Sequence, residues 1–109
     1  MSYSIKTIPQ FDKQLKRLNK RYPSFKLDFN SFVKSLYEDP TQGTQLGRNC
    51  YKIRVAISSK SKGKSGGARV ISNVVIINKT IYLLAIYDKS EKENLTDAEL
   101  QDLLKSIPK

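Results

Sequence analysis

The 109-residue sequence contains no histidine and no tryptophan, and it has a single cysteine, Cys50. Without histidine, Ser-His-Asp and Cys-His catalytic arrangements and histidine-based metal sites are all excluded. A lone cysteine cannot form an internal disulfide, which suits a reducing compartment, and without a histidine to activate the thiol we expect a small buried side chain. Any acid–base chemistry must therefore use Lys, Tyr, Asp or Glu.

Long apolar runs are also missing. No stretch approaches the ~20 apolar residues that a membrane span requires, and residues 1–11 lack the apolar core of a signal peptide. We therefore expect a cytoplasmic protein without a membrane partner. The chain length is typical of one domain, so we expect residues 1–109 to form a single domain.

Acidic residues are absent from the middle of the chain. Between Pro40 and Tyr87 there is no Asp or Glu, whereas eight Lys or Arg occur there. They are Arg48, Lys52, Arg54, Lys60, Lys62, Lys64, Arg69 and Lys79. The whole chain has 20 Lys and Arg against 10 Asp and Glu, a net charge of +10. This one-sign region indicates a polyanionic partner, nucleic acid above all, with a merely solvated basic surface as the alternative.

The first third of the chain predicts a short strand and a helical hairpin. Residues 3–7 alternate apolar and polar as a strand does, and from residue 8 to 22 apolar side chains recur every three or four positions, as on one helix face. Pro23 ends this helix, and Ser24 is positioned to cap a second helix that ends before Pro40. All four phenylalanines fall on the two apolar stripes, so we expect them in the core rather than in a base-stacking platform.

The remaining residues predict three more strands and a helix. We expect in turn a loop, a strand, a polar connection and two further strands, over residues 39–49, 51–58, 59–67, 68–77 and 80–87. Asn78 and Lys79 would form a two-residue hairpin turn, and Thr96 to Glu99 match a capping box that starts the last helix. The order β-α-α-β-β-β-α predicts an α+β fold. We expect a small antiparallel, partly mixed sheet of about four strands, backed on one face by the N-terminal helical hairpin, with a short C-terminal helix and an open basic face.

The basic residues form the strongest candidate site. Lys52 and Arg54 share a strand face because residues two apart point the same way, Arg69 opens the next strand, and Lys89 follows the last. If the strands pair in sequence order, these ends can meet at one edge of the sheet. The connection above that edge would carry Lys60, Lys62 and Lys64. Such a cluster would neutralise a phosphodiester and its more negative transition state, although a solvated basic face remains the alternative.

A phosphate-binding loop is a weaker candidate. Gly63-Lys64-Ser65 matches the end of the G-x-x-x-x-G-K-[ST] pattern, but its first glycine would have to stand at residue 58, which is serine. The segment also leads into a strand, so no helix N-terminus awaits a phosphate.

Three blocks of sequence resemble a known family. Residues 50–55 read Cys-Tyr-Lys-Ile-Arg-Val, residues 62–71 read Lys-Gly-Lys-Ser-Gly-Gly-Ala-Arg-Val-Ile, and residues 81–91 read Ile-Tyr-Leu-Leu-Ala-Ile-Tyr-Asp-Lys-Ser-Glu. In this order they are similar to the RelE/ParE superfamily of type II toxins, and most similar to its HigB-like branch. The resemblance covers essentially the whole chain.

The resemblance implies a bacterial toxin that cleaves mRNA in the ribosomal A site and is held inactive by a cognate antitoxin. Any DNA contact would come only through the toxin–antitoxin complex, and no cofactor or metal is implied. In the reaction it implies, a ribose 2′-hydroxyl attacks the adjacent phosphate and leaves a 2′,3′-cyclic phosphate and a 5′-hydroxyl.

The family's site residues carry over to Lys52, Arg54, Arg69 and Lys89 as catalytic residues. Lys60, Lys62, Lys64 and Tyr87 are the candidate RNA-binding residues. We expect the two arginines to hold the scissile phosphate, Lys52 or a loop lysine to take the 2′ proton, and Lys89 to stabilise the departing 5′-oxygen.

One position departs from the family. RelE toxins have a base-stacking tyrosine near the C-terminus, and the matching residue here is Leu95, which leaves Tyr87 as the nearest aromatic substitute. Two other functions stay open: a ParE-like toxin that inhibits DNA gyrase without cutting nucleic acid, and a non-catalytic RNA-binding module.

Overall fold

The computed structural model describes residues 3–60, 63–92 and 94–108. Its strands are β1 (Ser4–Thr7), β2 (Thr44–Gly47), β3 (Cys50–Val55), β4 (Ala68–Val75) and β5 (Thr80–Asp88). Its helices are α1 (Pro9–Arg21), α2 (Phe25–Glu38) and α3 (Asp97–Lys105), with short 3₁₀ turns at Ser58–Lys60 and Lys64–Gly66. The predicted α+β class is confirmed.

The described strands form one mixed sheet in the order β1-β5-β4-β3-β2. Strands β2 to β5 pair antiparallel with their sequence neighbours, and β1 pairs parallel with β5. Strand β5 therefore lies inside the sheet, between β1 and β4, and is almost wholly buried, as its apolar run Leu83–Ile86 predicts.

The sheet has five strands rather than about four, because residues 44–47 were expected to be loop. Arg48 and Asn49 both have positive φ (55° and 61°), the conformation of a two-residue type I′ turn that joins β2 to β3. Neither residue is glycine, and all of β2 is exposed, so neither a turn signal nor an alternating pattern marks it. Gly43 permits the approach of the two strands, because a Cβ there would lie 2.5 Å from the Lys52 carbonyl oxygen.

Two predicted boundaries were wrong. The β4–β5 connection spans residues 76–79 rather than two residues, and positive φ falls on Lys79 (49°), not on Asn78. Strand β3 ends at Val55, three residues before the expected end. Both errors arise because the apolar pattern in the sequence continues past the last residue that pairs in the sheet.

The N-terminal hairpin packs on one face of the sheet, with α1 against β5 and α2 against β3. Its aromatic core is as predicted: the ring centroid of Phe29 lies 6.0, 6.3 and 5.9 Å from those of Phe11, Phe25 and Phe32. Ser24 stands at the start of α2 but makes no side-chain cap hydrogen bond, because its backbone is already helical (φ −72°, ψ −10°).

The C-terminal helix lies on the other face. Thr96 and Glu99 form the predicted capping box. Tyr87 stands opposite Arg69 in the sheet, and Ala85 lies two residues away on the same face. Ala85 and Tyr87 share a small cavity with Leu95 and with Leu103 of α3. The basic face is therefore not wholly open as expected, because α3 and the segment before it cover its β5 side.

Candidate active site

The register of the sheet aligns the basic side chains. Arg54 of β3 stands directly opposite Arg69 of β4, and Lys52 is two residues before Arg54 on the same strand face. Lys89 follows β5 at the end next to Arg69, and its backbone N–H donates to the Gly67 carbonyl at 3.0 Å. Cationic side chains from three neighbouring strand segments thus face one space.

That space is a cleft of about 210 Å³. Its lining residues are Thr44, Lys52, Arg54, Arg69, Lys89 and Asn94. None of the six is acidic, and all four residues predicted to be catalytic are among them. We call this space the basic cleft.

Arg69 is the buried member of the basic cleft, with only 4% of its surface exposed. Its guanidinium donates to the backbone oxygens of Lys64 (3.0 Å) and Ala68 (3.1 Å), which fix its direction. Burial, and then the charge of Arg54, lower the pKa of Arg69 from its ordinary value. A rigid, partly desolvated guanidinium beside a second one is well suited to bind an anion.

The other three cations are more accessible. Lys52 Nζ donates to Asn94 Oδ1 at 2.8 Å, which directs the ammonium into the basic cleft. Within the described part of the chain, neither Lys52, Arg54 nor Lys89 takes part in a salt bridge. Their charge is therefore available to a ligand.

A glycine brings the strand ends together at this cleft. A Cβ on Gly67 would lie 2.2 Å from the Val55 carbonyl oxygen, so no other residue fits there without a backbone shift. Gly67 immediately precedes β4, and its carbonyl receives the Lys89 N–H. Its close packing therefore sets the positions of both Arg69 and Lys89.

Lys60 is not part of the basic cleft. Its ammonium pairs with the Asp88 carboxylate at 2.7 Å, with 15% and 0% of the two side chains exposed, and lies over the Tyr22 ring at 5.7 Å from the centroid. Burial alone would raise the pKa of Asp88, but hydrogen bonds from Lys60, Ser90 and Tyr22 outweigh it and hold that pKa well below its usual range. The structure thus places Lys60 in a buried ion pair, not on a surface for RNA.

The remaining predicted RNA-binding residues separate. Lys62 lies outside the described residues. Lys64 is exposed and lines a groove next to the basic cleft. Tyr87 is half-buried, and its hydroxyl has no hydrogen-bond partner among the described residues. Burial raises the pKa of Tyr87. Tyr87 shares a cavity with Leu95 beside α3 and is not among the residues that line the basic cleft.

Two residues that line the basic cleft could not be identified from the sequence. Thr44 belongs to the unexpected strand β2 and stands opposite Lys52. Asn94 lies in the polar segment before α3 and reaches Lys52 from there. Only the pairing of β2 with β3 and the packing of α3 bring them to the site, so no local pattern could reveal them.

Cys50 is a buried free thiol whose pKa is raised by burial. Among the described residues, no three His, Cys, Asp or Glu side chains are grouped to hold a metal ion. No helix in the described part of the chain is long and apolar enough to cross a bilayer.

Solved structures of an E. coli toxin have the same fold. A free RelE mutant with two arginines replaced by alanine is 17% identical, with a TM-score of 0.62, over 99% of this chain and 100% of that one. The same mutant in complex with a peptide of the antitoxin RelBc is 14% identical, with a TM-score of 0.61 and the same coverage. The isolated RelE toxin is 13% identical, with a TM-score of 0.56, over 96% and 99% of the two chains.

The sequence profile of the family described as the RelE toxin of the RelE/RelB toxin–antitoxin system matches residues 12–108. This match spans most of α1, all of α2, the basic cleft and α3. The chain belongs to the RelE toxin family.

Proposed function

We propose that this protein is the toxin of a type II toxin–antitoxin system and acts as a ribosome-dependent mRNA endonuclease in the cytoplasm. The observation that carries the proposal is the convergence of Lys52, Arg54, Arg69 and Lys89 in one cleft, whose described lining residues include no Asp or Glu. The three sequence blocks that resemble the HigB-like branch support an assignment to that branch.

The proposed reaction is a transesterification within the RNA strand. The ribose 2′-oxygen loses its proton and bonds to phosphorus, while the bond from phosphorus to the 5′-oxygen breaks and that oxygen gains a proton. The products are a 2′,3′-cyclic phosphate and a 5′-hydroxyl. The phosphorane between them carries one more negative charge than the substrate, so cations fixed around it stabilise the transition state more than the ground state.

Each cation of the basic cleft has a role in this scheme. Arg54 and Arg69 bind the non-bridging oxygens of the scissile phosphate. Lys52, directed by Asn94, acts as the uncharged amine and takes the 2′ proton, and Lys89 acts as an ammonium and gives a proton to the leaving 5′-oxygen. Lys64 is less suited to be the base, since it lines the neighbouring groove instead.

A cognate antitoxin is part of the proposal. The RelE mutant of similar fold was solved with an antitoxin peptide, and the net charge of +10 would favour an antitoxin with acidic segments.

The test is primer extension on mRNA from cells expressing wild type, Arg54→Ala, Arg69→Ala or Lys34→Ala. Arg54 is exposed, so its loss should leave the fold intact, whereas Arg69 also holds two backbone carbonyls. We expect cuts in frame with codons in wild type and in Lys34→Ala, an exposed control on α2, and at least about 100-fold fewer in Arg54→Ala. Equal cutting by Arg54→Ala and wild type would refute the site, and growth arrest without any mRNA cuts would favour the gyrase alternative.

A further inference from the structure

A second groove adjoins the basic cleft at the open edge of β3. It has a volume of about 230 Å³. Its lining residues are Asp28, Ser31, Phe32, Ser35, Gln42, Arg54, Val55, Ala56 and Lys64. The volume is below the roughly 300–1,000 Å³ of pockets for drug-sized ligands, so it suits one small planar group. We call it the α2–β3 groove.

The pairing of the strands explains why the groove is there. Strand β2 pairs with β3 only as far as Lys52, opposite Thr44, so no described strand lies beside this edge of β3 beyond Lys52. Arg54 stands at this uncovered edge and lines both spaces. Lys64 lines the groove, while its carbonyl oxygen holds the Arg69 guanidinium of the basic cleft. A chain whose phosphate lies in the basic cleft can therefore continue past Arg54 into the groove.

The lining of the α2–β3 groove combines apolar surface with acceptor groups. Phe32 and Val55 are buried and provide apolar walls. The Asp28 carboxylate is held by the Ser58 backbone N–H at 2.9 Å and by the Ser58 hydroxyl. Each carboxylate oxygen can accept a further hydrogen bond, and the Ser31 hydroxyl lies on the same wall. An acceptor-rich wall beside an apolar surface fits a base that carries an exocyclic amino group.

We propose that the α2–β3 groove binds one unstacked, amino-bearing nucleobase of the RNA, adjacent to the phosphate in the basic cleft. The inference rests on the proposed function, since it assumes an RNA strand in the cleft. It adds a base contact next to the cleft, whereas Tyr87 does not line the cleft and shares its cavity with α3. The two groove cations, Arg54 and Lys64, and the continuity with the cleft favour a nucleotide over an apolar protein side chain.

The experiment measures equilibrium binding of two fluorescent RNA probes to the full-length protein. One probe is 2′-O-methyl pentauridine, and the other has a single central adenosine; neither can be cut, because the 2′-oxygen is blocked. Ser31→Leu fills the groove from an exposed position of α2, and Asn30→Leu is the matched control at the neighbouring exposed position, which lies outside the groove.

We expect wild type and Asn30→Leu to bind the adenosine probe roughly tenfold more tightly than pentauridine. Ser31→Leu should bring this ratio close to one while leaving the affinity for pentauridine unchanged, because the basic cleft is intact. A tenfold preference retained by Ser31→Leu would overturn the proposal. Equal affinity of wild type for the two probes would also overturn it, and so would a failure of wild type to bind either probe.

The RNA-binding and mRNA-cutting results together test the groove inference and the proposed nuclease activity separately. If Ser31→Leu loses the base preference but wild type never cuts mRNA, the groove stands and the proposed function fails. If wild type cuts mRNA but shows no base preference, the nuclease stands and the groove inference fails. Loss of affinity for an antitoxin peptide in Ser31→Leu, with an unchanged RNA ratio, would assign the groove to a protein partner and overturn the inference.

Discussion

Asp88 and Lys89 are consecutive residues at the end of β5, and they serve two different regions of the molecule. Asp88 points to the helical face, where it pairs with Lys60 and accepts from Tyr22 at 2.7 Å. Lys89 lines the basic cleft on the other face. On the first face a lysine is buried against a carboxylate. On the second, lysines and arginines gather in a cleft whose described lining residues include no Asp or Glu.

Strand parity, not residue type, decides whether a cation here stabilises the fold or faces the cleft. Successive side chains alternate between the faces of a sheet, so one chain segment supplies both an ion pair that stabilises the fold and a cation left for a ligand. The ten acidic residues of the chain could neutralise the basic cleft, yet those in described salt bridges pair with cations elsewhere. If the comparison is right, changes on the two sides must separate stability from activity.

The largest effect is expected from Asp88→Asn. It leaves the Lys60 ammonium buried without an anion, which should lower the free energy of unfolding by about 3–5 kcal/mol. Urea denaturation measures this loss. A double variant, Lys60→Met with Asp88→Leu, should recover only part of the stability, because it removes both charges but also the acceptor of Tyr22 and Ser90. A loss below about 1 kcal/mol in Asp88→Asn would contradict the structural role of the pair.

Lys89→Ala should instead lower activity and not stability. We expect cutting of ribosome-bound mRNA to slow roughly 100-fold, about 2.7 kcal/mol, with unfolding unchanged within about 0.5 kcal/mol. An mRNA with sulfur in place of the leaving 5′-oxygen needs no proton donor, so it should be cut by Lys89→Ala at nearly the wild-type rate. Absence of this rescue would remove Lys89 from the leaving-group step, and Lys34→Ala is the control.

A smaller effect should appear on acidification. The pKa of Asp88 is lowered in the folded protein, so its ionised form adds stability above the unfolded value of about 3.9, and this stability is lost as pH falls below that value. The hydrogen bond from Lys92 lowers the pKa of Glu99 to about 2, so Glu99 also loses its stabilising contribution as the pH falls. The urea concentration at the unfolding midpoint should therefore decrease in wild type as the pH drops below about 4. It should decrease less in Asp88→Asn. Parallel curves would show that Asp88 does not carry the dependence.

Much of the fold could be predicted from the sequence because its signals are local. The apolar stripes of the hairpin, the capping box at Thr96 and the apolar run of β5 each depend on neighbours within a few residues. Strand β2 could not be predicted, since its turn uses Arg48 and Asn49 at positive φ and its side chains are exposed.

Part of the candidate site could also be predicted, because it depends on a local sequence pattern. Lys52 and Arg54 alternate within one strand, so their shared face can be read from spacing alone. The burial of Lys60 depends on its meeting Asp88, 28 residues away. Likewise, Asn94 reaches Lys52 only because α3 folds over the basic face. Contacts of that kind come from packing, and no local pattern records them.

The most direct test of the account uses purified ribosomes carrying an mRNA whose scissile ribose lacks its 2′-hydroxyl. With the all-ribose mRNA, wild type should give one fragment ending in a 2′,3′-cyclic phosphate and another beginning with a 5′-hydroxyl. With the 2′-deoxy mRNA we predict no cutting at that position. Cutting of the deoxy mRNA at a comparable rate would contradict the proposed chemistry of the basic cleft.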